Sequence, residues 1–219
     1  MCGRYTLHTS LERITAHFHL HQTQALAPRF NIAPSQAVPA VRGEPRELIL
    51  LRWGLIPSWA KEEKTPYNLI NARAETVAAK PAFREAFRQR RCLIPADGFY
   101  EWKAEADGKQ PYYICRRDGE VFAFAGLWEH WQGETGKSIG SCTIIVTGAN
   151  QLIQPIHDRM PVILEPTDYD AWLNPQNQAA STLTALLKSY PPEKMKAYPI
   201  SKKVNRPTND DSACITPLP

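Results

Sequence analysis

Three runs rich in aromatic and β-branched residues, at 99–103, 112–116 and 121–128, follow one another with Asp107-Gly108 and Asp118-Gly119 in the gaps. Asp-Gly accepts the positive φ values of a tight hairpin turn, so this pattern calls for antiparallel strands joined by hairpins. No strand–helix–strand rhythm recurs, which argues against a parallel α/β sheet. Further strands are expected at 3–7, 47–53, 141–147 and 162–164, and residues 131–140 read as a hairpin loop. Helices are expected to be few and short. Thr9 and Glu12 make a capping-box pair, and Leu11, Ile14 and Phe18 share one helical face. Phe83 and Phe87 stand four apart in a helix at 80–91. Capped helices at 167–173 and 181–190 follow, the second stopped by Pro191. The expected architecture is α+β: a single domain over 1–219, built on a curved, mainly antiparallel, barrel-like β-sheet with flanking short helices.

Composition enters as exclusion. A 219-residue chain with 43% hydrophobic residues can bury a full core without staples. Its five Cys are odd in number and form no CxxC pair, which argues against a disulfide framework or structural zinc and for a reducing cytosol. The longest apolar runs are far shorter than the ~18 residues of a membrane span. The first residues carry no apolar signal core, so neither membrane nor export is expected. A net charge of +4 is too mild to identify a nucleic-acid partner by itself. His17 and His21 stand i, i+4, but no third ligand follows at a metal-site spacing, so a solvated helix end is expected and no metal or cofactor. Arg84, Arg88, Arg90 and Arg91 form a local basic patch, readable as a phosphate contact or as a solvated helix face.

Four short segments can carry chemistry. Cys2 becomes the first residue if Met1 is removed, which a small second residue permits. It would then hold an α-amine with a pKa near ~7.7–8.0 and a thiol near ~8.5 on adjacent carbons. Such a pair can form an imine with an aldehyde and then close a five-membered thiazolidine. On position alone, an incidental second-residue Cys is the favoured reading. Asn71 and Arg73 are two apart and share a face if the run is a strand. The Asn can hold a carbonyl or hydroxyl and the Arg a phosphate, or the pair is a turn Asn beside a solvated Arg. Glu101 sits among Phe99, Tyr100 and Trp102, where burial would raise its pKa toward the range useful for acid–base catalysis; a solvent-facing Glu on an amphipathic strand fits the same alternation. His157 lies between prolines with Asp158 and Arg159 behind it, either a loop proton carrier or a surface His in a turn.

MCGRY, RFNIAPSQ, WGLIPSW, LINARAET, RCLIPADGFYEW and IHDRMPVIL stand in this order along the chain. The set resembles the SOS-response-associated peptidase (SRAP) family of abasic-site-processing proteins. Residues 61–68 make a longer stretch than the family pattern, and the segment 131–140 and the tail after Tyr190 match least. The resemblance implies an SRAP-like fold and a DNA-repair sensor that traps abasic sites in single-stranded DNA as a covalent thiazolidine. It implies Cys2 as nucleophile, Asn71 as the group positioning amine and sugar, Glu101 in acid–base chemistry including crosslink reversal, and His157 in ring opening and proton transfer. Arg4, Arg73 and Arg159 would approach the DNA backbone, Pro34 and Trp59 the base-stacking wedge, and Thr147 the pocket. A monomer acting in the cytoplasm, nucleoid-associated when bound to DNA at replication forks, is the implied setting. Self-removal of Met1 by a cysteine-type autopeptidase, lyase cleavage through the imine, and noncovalent single-strand binding are the competing activities.

Overall fold

The computed structural model describes residues 2–63 and 69–219. In chain order its strands are β1 (Tyr5–Leu7), β2 (Arg29–Ile32), β3 (Ala37–Arg42), β4 (Glu47–Trp53), β5 (Asn71–Arg73), β6 (Arg91–Ala96), β7 (Gly98–Glu105), β8 (Gly108–Arg116), β9 (Phe122–Gln132), β10 (Ser138–Gly148), β11 (Arg159–Pro161), β12 (Ile163–Leu164) and β13 (Met195–Pro199). Helices α1 (Leu11–Phe18), α2 (Arg84–Gln89), α3 (Tyr169–Leu173) and α4 (Ala180–Ala185) flank them. One sheet runs β13-β8-β7-β1-β2. In the other, β10 pairs β4, β4 pairs β3, β3 touches β6, β6 pairs β9, and β9 returns to β10. Five staves thus close into a barrel, the arrangement that leaves no sheet edge among them. The expected barrel-like α+β fold is present. Pairing is mainly antiparallel, with β10 parallel to β4 and β5.

The local sequence explains the barrel's interior. Strand β9 puts Phe122 and Phe124 beside Ala123, Ala125 and Gly126, all buried. A Cβ at Gly126 would come within 2.9 Å of both Cys92 Sγ and Ile94 Cδ1, so the strand needs its smallest residue there. The two sheets interlock through aromatic side chains. The Tyr5 ring lies 5.4 Å from Trp53 and 5.7 Å from Phe124, and Phe99 lies 6.0 Å from Phe124, mostly edge to face. The outer face of the five-stranded sheet carries Tyr100, Tyr113 and Cys115, covered by Ile200, Val204 and Cys214 of the C-terminal segment. Phe99 and Glu101, two apart on β7, therefore share the inner face and point toward the seam with the barrel.

Several expectations need correction. Asp118-Gly119 is a turn with Gly119 at φ 71°, but it joins β8 to β9 in the other sheet and makes no hairpin. Asp107-Gly108 does close one, with Glu105 opposite Gly108. Ser10, not Thr9, caps α1, because Thr9 is engaged by Asp97. The last helix stops at Ala185, well short of Pro191, and neither α3 nor α4 has a side-chain cap. His17 is no solvated end: its Nε2 lies 3.2 Å from the Tyr169 hydroxyl. Arg90 pairs with Glu129, and buried Arg91 donates to the carbonyls of Phe87, Arg88, Trp172, Asn174 and Asn177, closing the C-termini of α2 and α3. Neither guanidinium is part of a phosphate-facing patch.

One carboxylate ties the sheets together. Asp97 is the single residue between β6 of the barrel and β7 of the other sheet. It accepts from the Thr6 hydroxyl at 2.5 Å, and from the backbone N–H groups of His8 and Thr9 at 2.6 and 2.9 Å. Its own N–H donates to the Thr6 carbonyl at 3.0 Å. These bonds set β1 against β7 in the register Tyr5 opposite Phe99 and Thr6 opposite Gly98. Removing a charged acceptor from a buried network strands its donors, so Asp97→Ala is expected to cost about 4 kcal/mol, read from the shift of the urea unfolding midpoint. Gly98→Ala is expected to destabilise as strongly, because its Cβ would meet the Tyr113 hydroxyl at 2.1 Å.

Candidate active site

Antiparallel pairing carries the N-terminal residues past Glu101. The Tyr100 N–H donates to the Arg4 carbonyl at 3.0 Å, and the extended chain before Arg4 runs on toward Glu101 and Trp102. Cys2 is fully buried with its Sγ 3.8 Å from the Arg4 carbonyl. Burial, and then the nearby Glu101 carboxylate, push the thiol well above its ordinary pKa, so the sulfur is protonated at rest. Burial likewise pushes Glu101 up to about 7, with the Asp158 charge acting in the same direction. At neutral pH this carboxyl stands near half-protonation, where one group can both give and take a proton.

His157 arrives from the connection between β10 and β11. Its Nε2 lies 3.9 Å from Glu101 Oε2. Two partners compete at Nδ1: the Arg159 N–H donates to it at 3.0 Å, and Asp158 Oδ1 lies 3.0 Å away. The first favours a neutral ring and the second an imidazolium. Asp158 is 84% exposed, so solvent weakens its pull, and burial holds the His157 pKa below its usual value. The neutral ring then carries its proton on Nε2, aimed at Glu101.

Asn71 opens β5, and Ile144 of β10 lies opposite it. Both polar atoms of its amide are shielded from solvent and meet no hydrogen-bond partner among the described residues. That is an unfilled donor and acceptor on one planar group, a costly arrangement unless a ligand completes it. Arg73 is exposed with no ion-pair partner among the described residues. Arg159 is engaged by Glu75. Arg4 is turned inward, donating to Asn31 Oδ1 at 2.8 Å, the Val204 carbonyl at 2.9 Å and the Asn205 carbonyl at 3.2 Å. Thr147 is half-buried on β10 opposite Met160, at the base of the His157 connection. Pro34 sits in the β2–β3 turn, where Ser35 donates to the Trp53 carbonyl at 2.7 Å; Trp59 is 67% exposed. Met1 and residues 64–68 of the longer stretch lie outside the described residues, and with them the question of Met1 removal.

Two residues that hold these groups escape a reading of the chain. Asp97 looks like an ordinary turn residue before Gly98, and its partners lie about 90 positions away. Asn150 follows β10 and its Oδ1 accepts from the N–H groups of Leu152 and Ile153, an Asx-turn signature that was available in the sequence.

Comparisons with known proteins agree on one family. A family model described as SOS response associated peptidase (SRAP) matches residues 1–207. Abasic site processing protein YoaM of Bacillus subtilis is 45% identical over 97% of this chain and 96% of its own. Abasic site processing protein HMCES of Gallus gallus is 30% identical over 79% of this chain and 58% of its own. A crystal structure of a Bacteroides thetaiotaomicron protein superposes with a TM-score of 0.91 at 29% identity, covering 99% of this chain and all of the other. No helix among the described residues is long and apolar enough to cross a membrane.

The raised Glu101 pKa has a stability consequence. Folded Glu101 holds its proton more tightly than the unfolded chain does, so stability falls as pH rises from about 4.5 to about 7. Glu101→Gln removes this penalty. The variant is expected to exceed the parent in urea stability at about pH 8, by an amount on the order of 3 kcal/mol, with the two curves converging at acid pH.

Proposed function

The chain belongs to the SOS response associated peptidase (SRAP) family, and from that premise we propose that it captures abasic sites in single-stranded DNA as a thiazolidine on Cys2. The relatives' names supply the substrate class. The observation that carries the chemistry is the meeting of a near-neutral carboxyl and an imidazole, Glu101 and His157, 3.9 Å apart, beside the Cys2 thiol.

The steps balance with the groups present. Once Met1 is gone, the Cys2 amine adds to the ring-opened aldehyde of the sugar, a proton reaches the carbinol oxygen, and water leaves to give the imine. The thiol then adds to the imine carbon while its proton moves to nitrogen, closing the ring. One water is lost overall and no oxidant is consumed. Because burial keeps the thiol protonated, the amine acts first and the sulfur needs a base at closure; Glu101 is suited to take that proton. The same carboxyl returns it when the ring reopens, which makes Glu101 the group for reversal. His157 serves the sugar's ring opening by offering Nε2–H. Asn71 offers its unfilled amide to the sugar, and exposed Arg73 its guanidinium to a phosphate. Arg159, Thr147, Pro34 and Trp59 form the remainder of the proposed DNA face, with Glu75 to be displaced from Arg159, whereas Arg4 is held inward by Asn31, Val204 and Asn205 and lies outside that face. Self-removal of Met1 and slow strand cleavage through the imine belong to the same proposal, as does a monomer acting in the cytoplasm on single strands at replication forks.

Intact mass spectrometry after incubation with an abasic oligonucleotide tests this. The expected product is a denaturant-resistant adduct equal to protein without Met1 plus DNA minus one water. Cys2→Ala should form none, and Glu101→Gln should slow the reaction about a hundredfold. An unchanged adduct from Cys2→Ala, or only salt-sensitive noncovalent binding by the parent protein, ends the proposal.

A further inference from the structure

His157 and Glu101 belong to different sheets. The first hangs from the β10–β11 connection of the barrel, and the second lies on β7 of the five-stranded sheet. A fixed spacing across this seam needs a strut. Asn150, only 7% exposed, is built as one. Its Oδ1 accepts from the N–H groups of Leu152 at 3.1 Å and Ile153 at 3.0 Å. That locks the turn whose Ile153 carbonyl accepts the His157 N–H at 2.9 Å. Its Nδ2 donates to the Tyr190 carbonyl at 2.6 Å and lies 3.5 Å from Met195 Sδ. Met195 opens β13, which lies against β8 with Met195 opposite Arg116; β8 in turn places Tyr112 opposite Glu101. Beside the aromatic interlock and the Asp97 junction, one path from His157 to Glu101 thus runs through this side-chain amide.

We propose that Asn150 is a positioning residue that sets the separation of His157 from Glu101 by tying the His157 turn to the five-stranded sheet. Asn suits the place because one planar group supplies both the acceptor for the turn and the donor for the tether. Ser can cap the turn but is too short to reach the Tyr190 carbonyl. Ala does neither. The effect on crosslinking rests on the proposed function; the geometric claim stands without it.

The ring's own titration reads the geometry directly. Among the described residues, the charged groups that face His157 are Glu101 on β7, Asp158 on its own connection, and Lys109 on the β8 end of the hairpin, and the N-terminal amine adds a positive charge. In the parent protein the His157 Cε1–H resonance should titrate below the ordinary midpoint of ~6.5. In Asn150→Ser and Asn150→Ala the midpoint should rise toward that value as the ring swings into solvent. Adduct formation should fall about tenfold or more, as angstrom-scale misplacement produces. In a His157→Ala background the same substitutions should leave the residual rate unchanged, because the group they misplace is gone. A parental midpoint and rate in Asn150→Ser overturn the proposal, as does an equal slowing in the His157→Ala background. Asn150→Ser, with its cap retained, decides the matter if Asn150→Ala does not fold. If the parent protein forms no adduct, the functional reading fails, while the titration still decides the role of Asn150.

Discussion

Asp97 is the single residue between β6 of the barrel and β7 of the second sheet, and its carboxylate grips β1. Everything upstream inherits that grip. A slip of one residue in β1 would turn its side chains to the opposite face. The Tyr5 ring would then leave Trp53 and Phe124, and Cys2 would no longer approach Glu101. The aromatic interlock supplies the burial energy, but non-directional burial tolerates alternatives; the short hydrogen bonds of a buried carboxylate do not.

Burial governs the protonation of the site these contacts assemble. Burial keeps the Cys2 thiol protonated, leaves Glu101 near half-protonation and holds His157 neutral. A cluster of formal charges in the same seam would carry a heavy desolvation cost. The seam instead holds a protonated thiol and a neutral imidazole beside one carboxyl that exchanges its proton near neutral pH.

Local pattern carried the reading of the chain where neighbours in sequence decide structure. Strand β4 lies at the expected 47–53, and the aromatic runs became β7, β8 and β9. Strands β3 and β6 are not among the expected ones, and Pro39 and Pro95 lie within them. Both prolines lie away from the lone pairing of Val41 with Leu93, where the missing N–H costs the ladder little. Asp118-Gly119 misled because a turn signal says that the chain reverses, not which sheet it enters next. Arg90 and Arg91 misled because a guanidinium's partners, Glu129 and the ends of two helices, are invisible to local periodicity. In the site, Cys2, Asn71, Glu101 and His157 were legible as motif residues. Asp97 was not, since its partners lie about 90 positions away, and Asn150 showed only its local Asx turn, not the reach of its Nδ2 to Tyr190.

The inward turn of Arg4 joins the two extremes of the chain, for its bonds to Val204 and Asn205 span about 200 positions. During synthesis Arg4 can therefore complete these bonds only after a segment some 200 positions later has been made. The five barrel staves all lie before that segment, so their pairing needs nothing from it, whereas the seat of the N-terminal residues does.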